Sequence, residues 1–391
     1  MINLNEPYDV YVATEVGDVS NGGVSKWVDD WISNVAPHLI VKPILIIEIE
    51  QDKEWIDYAK QYVDVIHRPG TEWEWEYTMS RLPVSNYFSL PDRRTVDMII
   101  RGARKFHLLS YPLPIMMYGN SLEWSIKKMR GVYDRKIDSV CIHSLESVTL
   151  KYQQKLRKFS KKIINYQQKS IDYQNHLIED SENSIWIGTD DESKFDYKIS
   201  NTYEFKNNLS ANNSNVVGFP ARCEARKNLH FLEKIESIGL TLEKFYENCF
   251  DDYKKSVKLN KFKVIDYRSE KIDKFYRGED WGISHSCFES EPFGYSIFQS
   301  IDFGKIPILH KNWCKEMEYP FRASTQKQFE NQVAEISNLS IEDRNNYLGK
   351  LKEYLSKYSD TEKWRDDLLS IYNKDGDQVW LPTSISPSRD V

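Results

Sequence analysis

The chain contains 391 residues, which is too long for one ordinary hydrophobic core and predicts two domains. Its 53 basic and 59 acidic side chains leave a formal net charge of −6, which argues against a dedicated nucleic-acid-binding protein. No apolar run approaches the roughly 20 residues of a membrane span, and the five cysteines form no C-x-x-C pair. We therefore expect a cytoplasmic protein with reduced thiols, without a disulfide framework or a zinc site, and leave peripheral membrane contact open.

The first predicted elements form a β-α-β unit. A strand over 8–13 leads into a loop that ends in Gly22 and Gly23, and apolar residues at helical spacing then predict a helix over 24–35. A buried strand follows at 43–49. The glycine pair either makes a turn or lets the backbone approach a phosphate or a sugar where a Cβ would intrude.

An aromatic-rich segment, 68–94, interrupts this alternation and carries Trp73 and Trp75 among charged residues and three prolines. Aromatic rings stack on the apolar faces of sugars, so both tryptophans are candidates for acceptor binding. The alternative is a loop whose aromatic side chains pack on their own domain.

Strands and helices alternate through the rest of the N-terminal half, which is typical of a doubly wound, mostly parallel sheet. Helices are predicted over 53–61, 96–108 and 148–159, and strands over 63–67, 137–143, 162–166 and, as the last one, 202–205. His143 ends one strand and is a candidate for the cleft, although a lone histidine is more often structural. The polar stretch 207–215 has no apolar periodicity and predicts an interdomain linker.

The C-terminal half opens with a strand at 216–219. Arg222 and Lys227 then bracket a turn in front of a helix that is predicted through 231–238. Two cations beside helix N–H groups form an anion site that suits a diphosphate. The alternative is a solvated basic turn.

A second β-α-β unit lies between 281 and 310. A strand over 281–284 enters a loop that ends at Gly294, an amphipathic helix begins at Tyr295, and Gly304 is suited to its C-cap. The N–H groups and the partial positive charge at the helix start suit a phosphate or a sugar hydroxyl. The alternative is plain sheet architecture without a ligand.

The residues from 291 to 307 resemble the donor-site signature of retaining GT-B glycosyltransferases of the family 4 type. In that signature, Glu-Gly-Phe-Gly is followed by a second glutamate and by a short helix that ends in Gly-x-Pro. The matching residues are Glu291, Phe293, Gly294, Gly304 and Pro307. Pro292 replaces a glycine, and Gln299 stands at the position of the second glutamate.

A second motif of the same family lies earlier in the chain. Arg222 and Lys227 match, in type and spacing, the basic pair that holds the nucleotide diphosphate in these enzymes. Asn228 stands in for the glycine that follows the family's lysine. Enzymes of this type also carry a Gly-Gly loop that faces the donor, at the position of Gly22 and Gly23.

The resemblance implies an α/β protein with the GT-B architecture, in which two Rossmann-like doubly wound domains face a deep cleft. It assigns 1–206 to an N-terminal acceptor-binding domain and 207–360 to a C-terminal domain that binds the nucleotide-sugar donor. Helices are also predicted over 325–336, 341–358 and 361–372. The last helix belongs to the segment 361–391, which the resemblance implies crosses back to the N-terminal domain and ends in a tail.

The resemblance also implies roles for individual residues. The residues implied for catalysis are Arg222, Lys227 and Glu291: the cations neutralise the leaving diphosphate, and the carboxylate binds hydroxyl groups of the donor sugar. Those implied for donor binding are Gly22, Gly23, Tyr267, Arg268, Phe293, Gly294, Tyr295, Ser296 and Gln299. The candidates on the acceptor side are Trp73, Trp75 and His143. No Asp-x-Asp motif stands at a strand end, so we expect a metal-independent enzyme without a cofactor.

The implied activity is transfer of a hexose from a nucleotide sugar to a glycan, glycoprotein or other hydroxyl acceptor, with retention at the anomeric carbon. GDP-mannose is the favoured donor and UDP-glucose the next. Gln299, and Gln167 with Gln168 where relatives have a histidine, leave open a catalytically weak nucleotide-sugar-binding protein. A sugar-nucleotide epimerase is another alternative. The acidic balance disfavours DNA glucosylation, so we expect no nucleic-acid partner. We expect either a monomer or a homodimer.

Overall fold

The computed structural model describes residues 4, 6–13, 23–47, 53–67, 99, 102–109, 137–142, 160–165, 197–198, 201–221, 227–241, 259, 261–266, 274–288, 291 and 293–373. This part of the chain divides into two compact units. The first unit contains the described residues up to 165, together with 197–198 and 362–373, and the second contains 201–361. Within these ranges, none of the helices combines the length and the apolarity that a bilayer crossing requires.

The first unit is built on one parallel sheet. Its elements in chain order are β1 (Tyr8–Ala13), α1 (Gly23–Asn34), a 3₁₀ turn (Ala36–His38), β2 (Lys42–Ile47), α2 (Lys53–Ala59), β3 (Asp64–His67), β4 (Phe106–Leu108), β5 (Ile137–Ile142), β6 (Ser160–Asn165) and β7 (Tyr197–Lys198). The strand order is β3-β2-β1-β4-β5-β6-β7. This is the order of a Rossmann sheet, in which the direction of winding reverses between β1 and β4.

Strand β4 corrects one sequence-based expectation. The helix predicted over 96–108 is wrong over its last residues, because Phe106–Leu108 pairs in parallel with β1. A short apolar run is compatible with either a helix or a strand, and only the strands that pair with it in the fold decide between the two. Here the carboxylate of Asp9 accepts hydrogen bonds from the backbone N–H of Lys105 and from Nε of Arg104, both at 3.1 Å, and so holds the start of β4 beside β1.

The second unit contains a second parallel sheet. Its elements are β8 (Val217–Phe219), a 3₁₀ turn (Leu229–Leu232), β9 (Ser237–Thr241), β10 (Phe262–Asp266), β11 (Ile283–Ser286), α3 (Tyr295–Asp302), β12 (Ile306–His310), β13 (Arg322–Ala323), α4 (Gln326–Ser337), α5 (Ile341–Leu355) and a 3₁₀ turn (Ser356–Tyr358). The strand order is β10-β9-β8-β11-β12-β13, so winding reverses between β8 and β11. Ligands of such sheets bind outside the carboxyl ends of the strands at that reversal. The prediction of two Rossmann-like α/β domains is confirmed.

Strand β9 corrects a second expectation. The helix predicted through 231–238 is wrong, because the chain makes only a 3₁₀ turn at Leu229–Leu232 and then enters β9. Ile238 is buried and pairs with Gly218 of β8 on one side and with Lys263 of β10 on the other. Pairing on both sides outweighs the local helical spacing of the apolar residues.

The linker in front of β8 lies on the second unit. The strand predicted over 202–205 is wrong, because Tyr203 packs its ring against Phe298 of α3 with centroids 5.5 Å apart and forms no ladder. Asp302, fully buried at the end of α3, accepts hydrogen bonds from the backbone N–H groups of 206, 207 and 208 at 2.9 to 3.3 Å. The carboxylate of Asp302 therefore accepts the backbone hydrogen bonds that a neighbouring strand would otherwise accept. The predicted boundary after residue 206 stays a prediction.

Helix α6 (Thr361–Tyr372) completes the core of the first unit. The ring of Trp364 stands edge-on to that of Trp27 of α1 at 6.0 Å, and Tyr372 meets Trp31 in the same way at 6.4 Å. The buried ammonium of Lys105 donates to the carbonyl of Tyr372 at 2.6 Å. A cation thus satisfies a carbonyl at the C-terminus of the helix, where the helix dipole is negative.

Helices α4 and α5 begin at hydroxyl side chains. Thr325 Oγ1 accepts from the N–H of Gln328 at 3.3 Å, and Ser340 Oγ accepts from the N–H of Asp343 at 3.1 Å. These N-caps satisfy donors that the helices themselves leave unpaired. The helices predicted over 325–336 and 341–358 are confirmed, with the end of the second one as a 3₁₀ turn.

Candidate functional site

The candidate site lies where two loops of the second unit leave the sheet. Strands β8 and β11 are parallel neighbours, so their carboxyl ends lie at one edge of the sheet, at the reversal of winding. Lys227 follows β8 and Glu291 follows β11. Nζ of Lys227 forms an ion pair with Oε2 of Glu291. The fold therefore brings together two residues that the sequence analysis assigned to different motifs.

The surroundings of this ion pair make it stronger than a surface pair. The side chains of Lys227 and Glu291 are 12% and 18% exposed, and Nζ of Lys227 lies 4.6 Å from the centre of the Phe288 ring. Partial removal from water strengthens the attraction between the charges, and the ring face adds a favourable cation–π contact. The ammonium is thus held between the carboxylate and the ring, and the two side chains keep a small exposed fraction.

The residue after Lys227 has an unusual backbone conformation. Asn228 is left-handed, with φ 54° and ψ 37°, a region in which glycine is preferred and asparagine is better tolerated than most residues. Its Nδ2 donates to the carbonyl of Cys287 at 2.9 Å, immediately after β11. Of the residues with a side chain, asparagine is therefore one of the few that suit this position.

His285 connects the same two segments from inside the sheet. Its Nε2 donates to the carbonyl of Asn228 at 3.0 Å, and its Nδ1 accepts from the N–H of Cys287 at 3.3 Å. A carbonyl only accepts, so Nε2 carries a proton, and a backbone N–H only donates, so Nδ1 carries none. The imidazole is therefore neutral. Full burial lowers the pKa of His285 to about 4. This histidine is a structural link.

We expect the protein to lose stability on mild acidification because of His285. Unfolded histidine has a pKa of about 6.5, so between pH about 6.5 and 4 the unfolded chain binds a proton that the folded chain excludes. The free energy of unfolding therefore decreases as the pH is lowered. Between pH 7.5 and pH 5, His285 accounts for a decrease of about 2 kcal/mol. Urea denaturation at pH 7.5 and pH 5 measures the fall. His285→Gln keeps a donor and an acceptor but does not titrate, so its fall should be smaller by that amount; equal falls contradict the prediction.

Cys287 and Cys314 are buried free thiols. Sγ of Cys287 donates to the carbonyl of Ile308 at 3.2 Å, and burial raises the pKa of this thiol far above its usual value. Burial also raises the pKa of Cys314 to about 12. A thiol that resists ionisation is a poor nucleophile, so neither cysteine is a candidate for covalent chemistry.

Gly294 forms the N-terminal boundary of α3 with φ 82°. A Cβ at this position would lie 2.8 Å from Cδ1 of Ile297 and 3.3 Å from Cγ of Glu291, so only glycine fits without displacement. Among the residues that the structure describes, no side chain caps this end of the helix. The first N–H groups of a helix lack intrahelical acceptors and carry partial positive charge. Glu291 thus lies beside an end that favours anionic or hydroxyl ligands.

The aromatic residues on either side of Gly294 belong to the core. Phe293 is 3% exposed and stacks on Phe298 with centroids 4.5 Å apart, and the ring of Tyr295 packs edge-on against Phe293 at 4.7 Å. A donor contact at positions 293 and 295 is therefore limited to backbone groups. Ser296 and Gln299 are half-buried on α3.

Several residues proposed from the sequence lie outside the described ranges. These are Gly22, Trp73, Trp75, His143, Arg222, Tyr267 and Arg268. Gly23 is the first residue of α1. The described residues bring together Lys227, Glu291 and the start of α3. The sequence analysis did not predict that Asn228 and His285 link the two loops. For Asn228 the available signal was an asparagine at a position where the motif has a glycine. For His285 the sequence offered no signal beyond its place in an apolar run.

No group of three or more His, Cys, Asp or Glu side chains that could hold a metal ion lies among the described residues. The expected metal independence stays a prediction.

Comparison with known proteins supports the fold. No protein-family model and no curated protein sequence matches the chain. Solved structures do match over nearly the whole length. An α-glucosyltransferase in complex with UDP-glucose and DNA containing an abasic site is 11% identical with a TM-score of 0.56, covering 94% of this chain and 99% of that one.

Two further structures agree. OtsA, a trehalose-phosphate synthase from E. coli bound with UDP-2-fluoro glucose, is 10% identical with a TM-score of 0.55, covering 94% of this chain and 99% of that one. The apo form of the lipopolysaccharide outer core galactosyltransferase WaaB is 9% identical with a TM-score of 0.50, covering 93% and 98%. All three are GT-B glycosyltransferases. Together with the two Rossmann-ordered sheets, these similarities show that the chain has the GT-B fold.

Proposed function

We propose that the chain is a glycosyltransferase that moves a hexose from a nucleotide sugar to a hydroxyl acceptor. The observation that carries this proposal is the Lys227–Glu291 pair at the carboxyl ends of β8 and β11, next to the start of α3. A nucleotide sugar presents an anionic diphosphate joined to a ring of hydroxyl groups. A cation beside a carboxylate matches both parts at once.

In the proposed reaction, Lys227 and Arg222 neutralise the charge that grows on the β-phosphate as the bond between C1 and the phosphate oxygen breaks. Glu291 accepts hydrogen bonds from hydroxyl groups of the donor sugar and so orients C1. N–H groups at the start of α3 add the positive end of the helix dipole. Since Glu291 is paired with Lys227 in this structure, donor binding exchanges one anionic partner of the lysine for another.

We further propose retention at C1, on the basis of the sequence resemblance. The acceptor oxygen attacks C1 from the face that the diphosphate leaves, the new bond to oxygen forms there, and the acceptor proton passes to the departing phosphate oxygen. The proposed reaction needs no metal, and the proposed location is the cytoplasm.

The donor and the acceptor are also proposals. Two of the similar structures contain UDP-glucose or UDP-2-fluoro glucose, so UDP-glucose is the first donor to test and GDP-mannose, favoured from the sequence, is the second. A glycan or glycoprotein is the proposed acceptor, with Trp73, Trp75 and His143 as acceptor-side residues. The DNA bound by the similar α-glucosyltransferase makes duplex DNA a further acceptor to test, against a net charge of −6.

A second candidate function is nucleotide-sugar binding without efficient transfer. Gln299 favours it, because an uncharged amide replaces the family's second glutamate. An amide still bonds hydroxyl groups, but more weakly than a carboxylate. Release of the nucleoside diphosphate from the donor separates the two candidates, since a binding protein holds the donor intact.

We expect one nucleotide sugar to bind the purified protein with micromolar affinity in calorimetric titration without metal and with a chelator present. UDP-glucose, GDP-mannose and UDP-N-acetylglucosamine are the donors to compare, since they differ in base or sugar. Release of the nucleoside diphosphate on addition of glycan or duplex DNA then tests transfer. The NMR signal of the anomeric proton of the product shows whether the configuration is retained or inverted. A folded protein that binds none of these donors contradicts the proposed function.

A further inference from the structure

Two segments of the site, 227–228 and 285–291, are linked by four side-chain contacts. Lys227 pairs with Glu291 and lies over the ring of Phe288, the amide of Asn228 donates to the carbonyl of Cys287, and His285 donates to the carbonyl of Asn228. Two of these contacts involve Asn228, which is 4% exposed. The residue that follows Lys227 thus makes as many of these contacts as Lys227 does.

The side-chain amide of Asn228 makes a hydrogen bond that a glycine at the same position cannot make. Glycine adopts the left-handed conformation but offers no side-chain hydrogen bond, whereas the asparagine adds a buried bond of 2.9 Å to the end of β11. Because a buried hydrogen bond has little freedom to rearrange, it fixes the separation of the loop after β8 from the loop after β11. Those loops carry the cation and the carboxylate of the site.

We propose that Asn228 is a positioning residue that holds Lys227 at the distance from Glu291 that donor binding needs. This inference rests on the proposed function, since it assigns the diphosphate of a nucleotide sugar to Lys227. The amide of Asn228 donates to Cys287, so Asn228 acts on Lys227 through the main chain of the lysine and through Cys287.

The test compares two substitutions of left-handed asparagines. Asn228→Gly keeps the backbone conformation and removes the amide. Asn208→Gly is the matched control, because Asn208 has φ 48° and its Nδ2 donates to the carbonyl of Phe205 at 3.0 Å, in the linker. We expect Asn228→Gly to weaken binding of UDP-glucose, or of whichever donor the unmodified protein binds, by about tenfold, and Asn208→Gly by less than about twofold. Equal affinities of Asn228→Gly and the unmodified protein overturn the inference.

A double-mutant cycle tests the positioning role without any donor. The midpoint of urea denaturation is measured for Asn228→Gly, Glu291→Gln and the double variant. If the amide holds Lys227 against the carboxylate, Glu291→Gln shifts the midpoint less in the Asn228→Gly background than in the unmodified protein. A purely structural hydrogen bond gives additive shifts, which overturn the inference. If the protein binds no donor, the proposed function fails, and coupled shifts still show that Asn228 holds Lys227 against Glu291. If a donor binds and the shifts are additive, the proposed function stands and the positioning role fails, so the two failures are distinguishable.

Discussion

Replacement of Lys227 by alanine is expected to weaken donor binding by about a hundredfold or more. The substitution removes a charge-assisted contact to the diphosphate, worth about 1.5–3 kcal/mol, and leaves Glu291 without its cation next to an anionic ligand. A loss of about 3 kcal/mol corresponds to roughly a hundredfold in affinity. Calorimetric titration of the variant with the donor that the unmodified protein binds measures this loss.

Lys234→Ala is the control for the general effect of removing a lysine from the second unit. Lys234 is 74% exposed and its Nζ lies 3.8 Å from Oε1 of Glu330, so its ion pair contributes little. We expect its donor affinity to stay within about twofold of the unmodified protein. If Lys227→Ala binds donor as well as Lys234→Ala does, Lys227 is not a phosphate ligand.

Replacement of Gly304 by alanine is expected to lower the free energy of unfolding by about 3 kcal/mol or more. Gly304 ends α3 with φ 74°, and a Cβ there would lie 2.1 Å from the carbonyl oxygen of Ser210 and 3.0 Å from that of Leu209. The clash is with backbone, so relief requires the linker to leave the helix end. Asp302 holds the same linker by three backbone N–H groups, and these bonds would weaken with it.

Gly349→Ala is the matched control for this substitution. Gly349 lies inside α5, and a Cβ there would meet no atom within 4 Å other than those of its neighbouring residues and of its own helix backbone. Because alanine is a better helix former than glycine, we expect stabilisation by up to about 1 kcal/mol. Calorimetric unfolding of the two variants should give melting temperatures that move in opposite directions. A Gly304→Ala variant as stable as the unmodified protein means that the linker does not pack closely on α3.

The sequence allowed the general fold to be predicted, and it assigned to one candidate site two residues, Lys227 and Glu291, that the structure places in contact. Chain length predicted two domains, and the resemblance to GT-B glycosyltransferases implied that both are Rossmann-like. Alternating strand and helix patterns predicted a doubly wound, mostly parallel sheet, because hydrophobic periodicity is a local property that survives without knowledge of partners. Gly304 was correctly placed at the end of a helix for the same reason: a left-handed C-cap position favours glycine whatever surrounds it. The order of the two motifs also paired Lys227 with Glu291 in one site before their contact was known.

The errors have a common physical cause. Phe106–Leu108 and Ser237–Thr241 are strands although their spacing suited helices, because hydrogen bonds to neighbouring strands decide between the two for short apolar runs. The segment 202–205 has a strand-like composition but meets the aromatic face of α3 in place of a sheet edge. Each of these outcomes depends on residues distant in the chain.

The sequence by itself therefore determined the chemical types available at the site, a lysine, a glutamate and a glycine-bounded helix start, together with the order in which the chain presents them. Only the tertiary structure decided that Asn228 and His285 link the loops that carry the lysine and the glutamate. An amide or an imidazole has no fixed partner until folding brings one within hydrogen-bond distance. Its role is a property of the pair, and the pair exists only because β8 and β11 lie side by side.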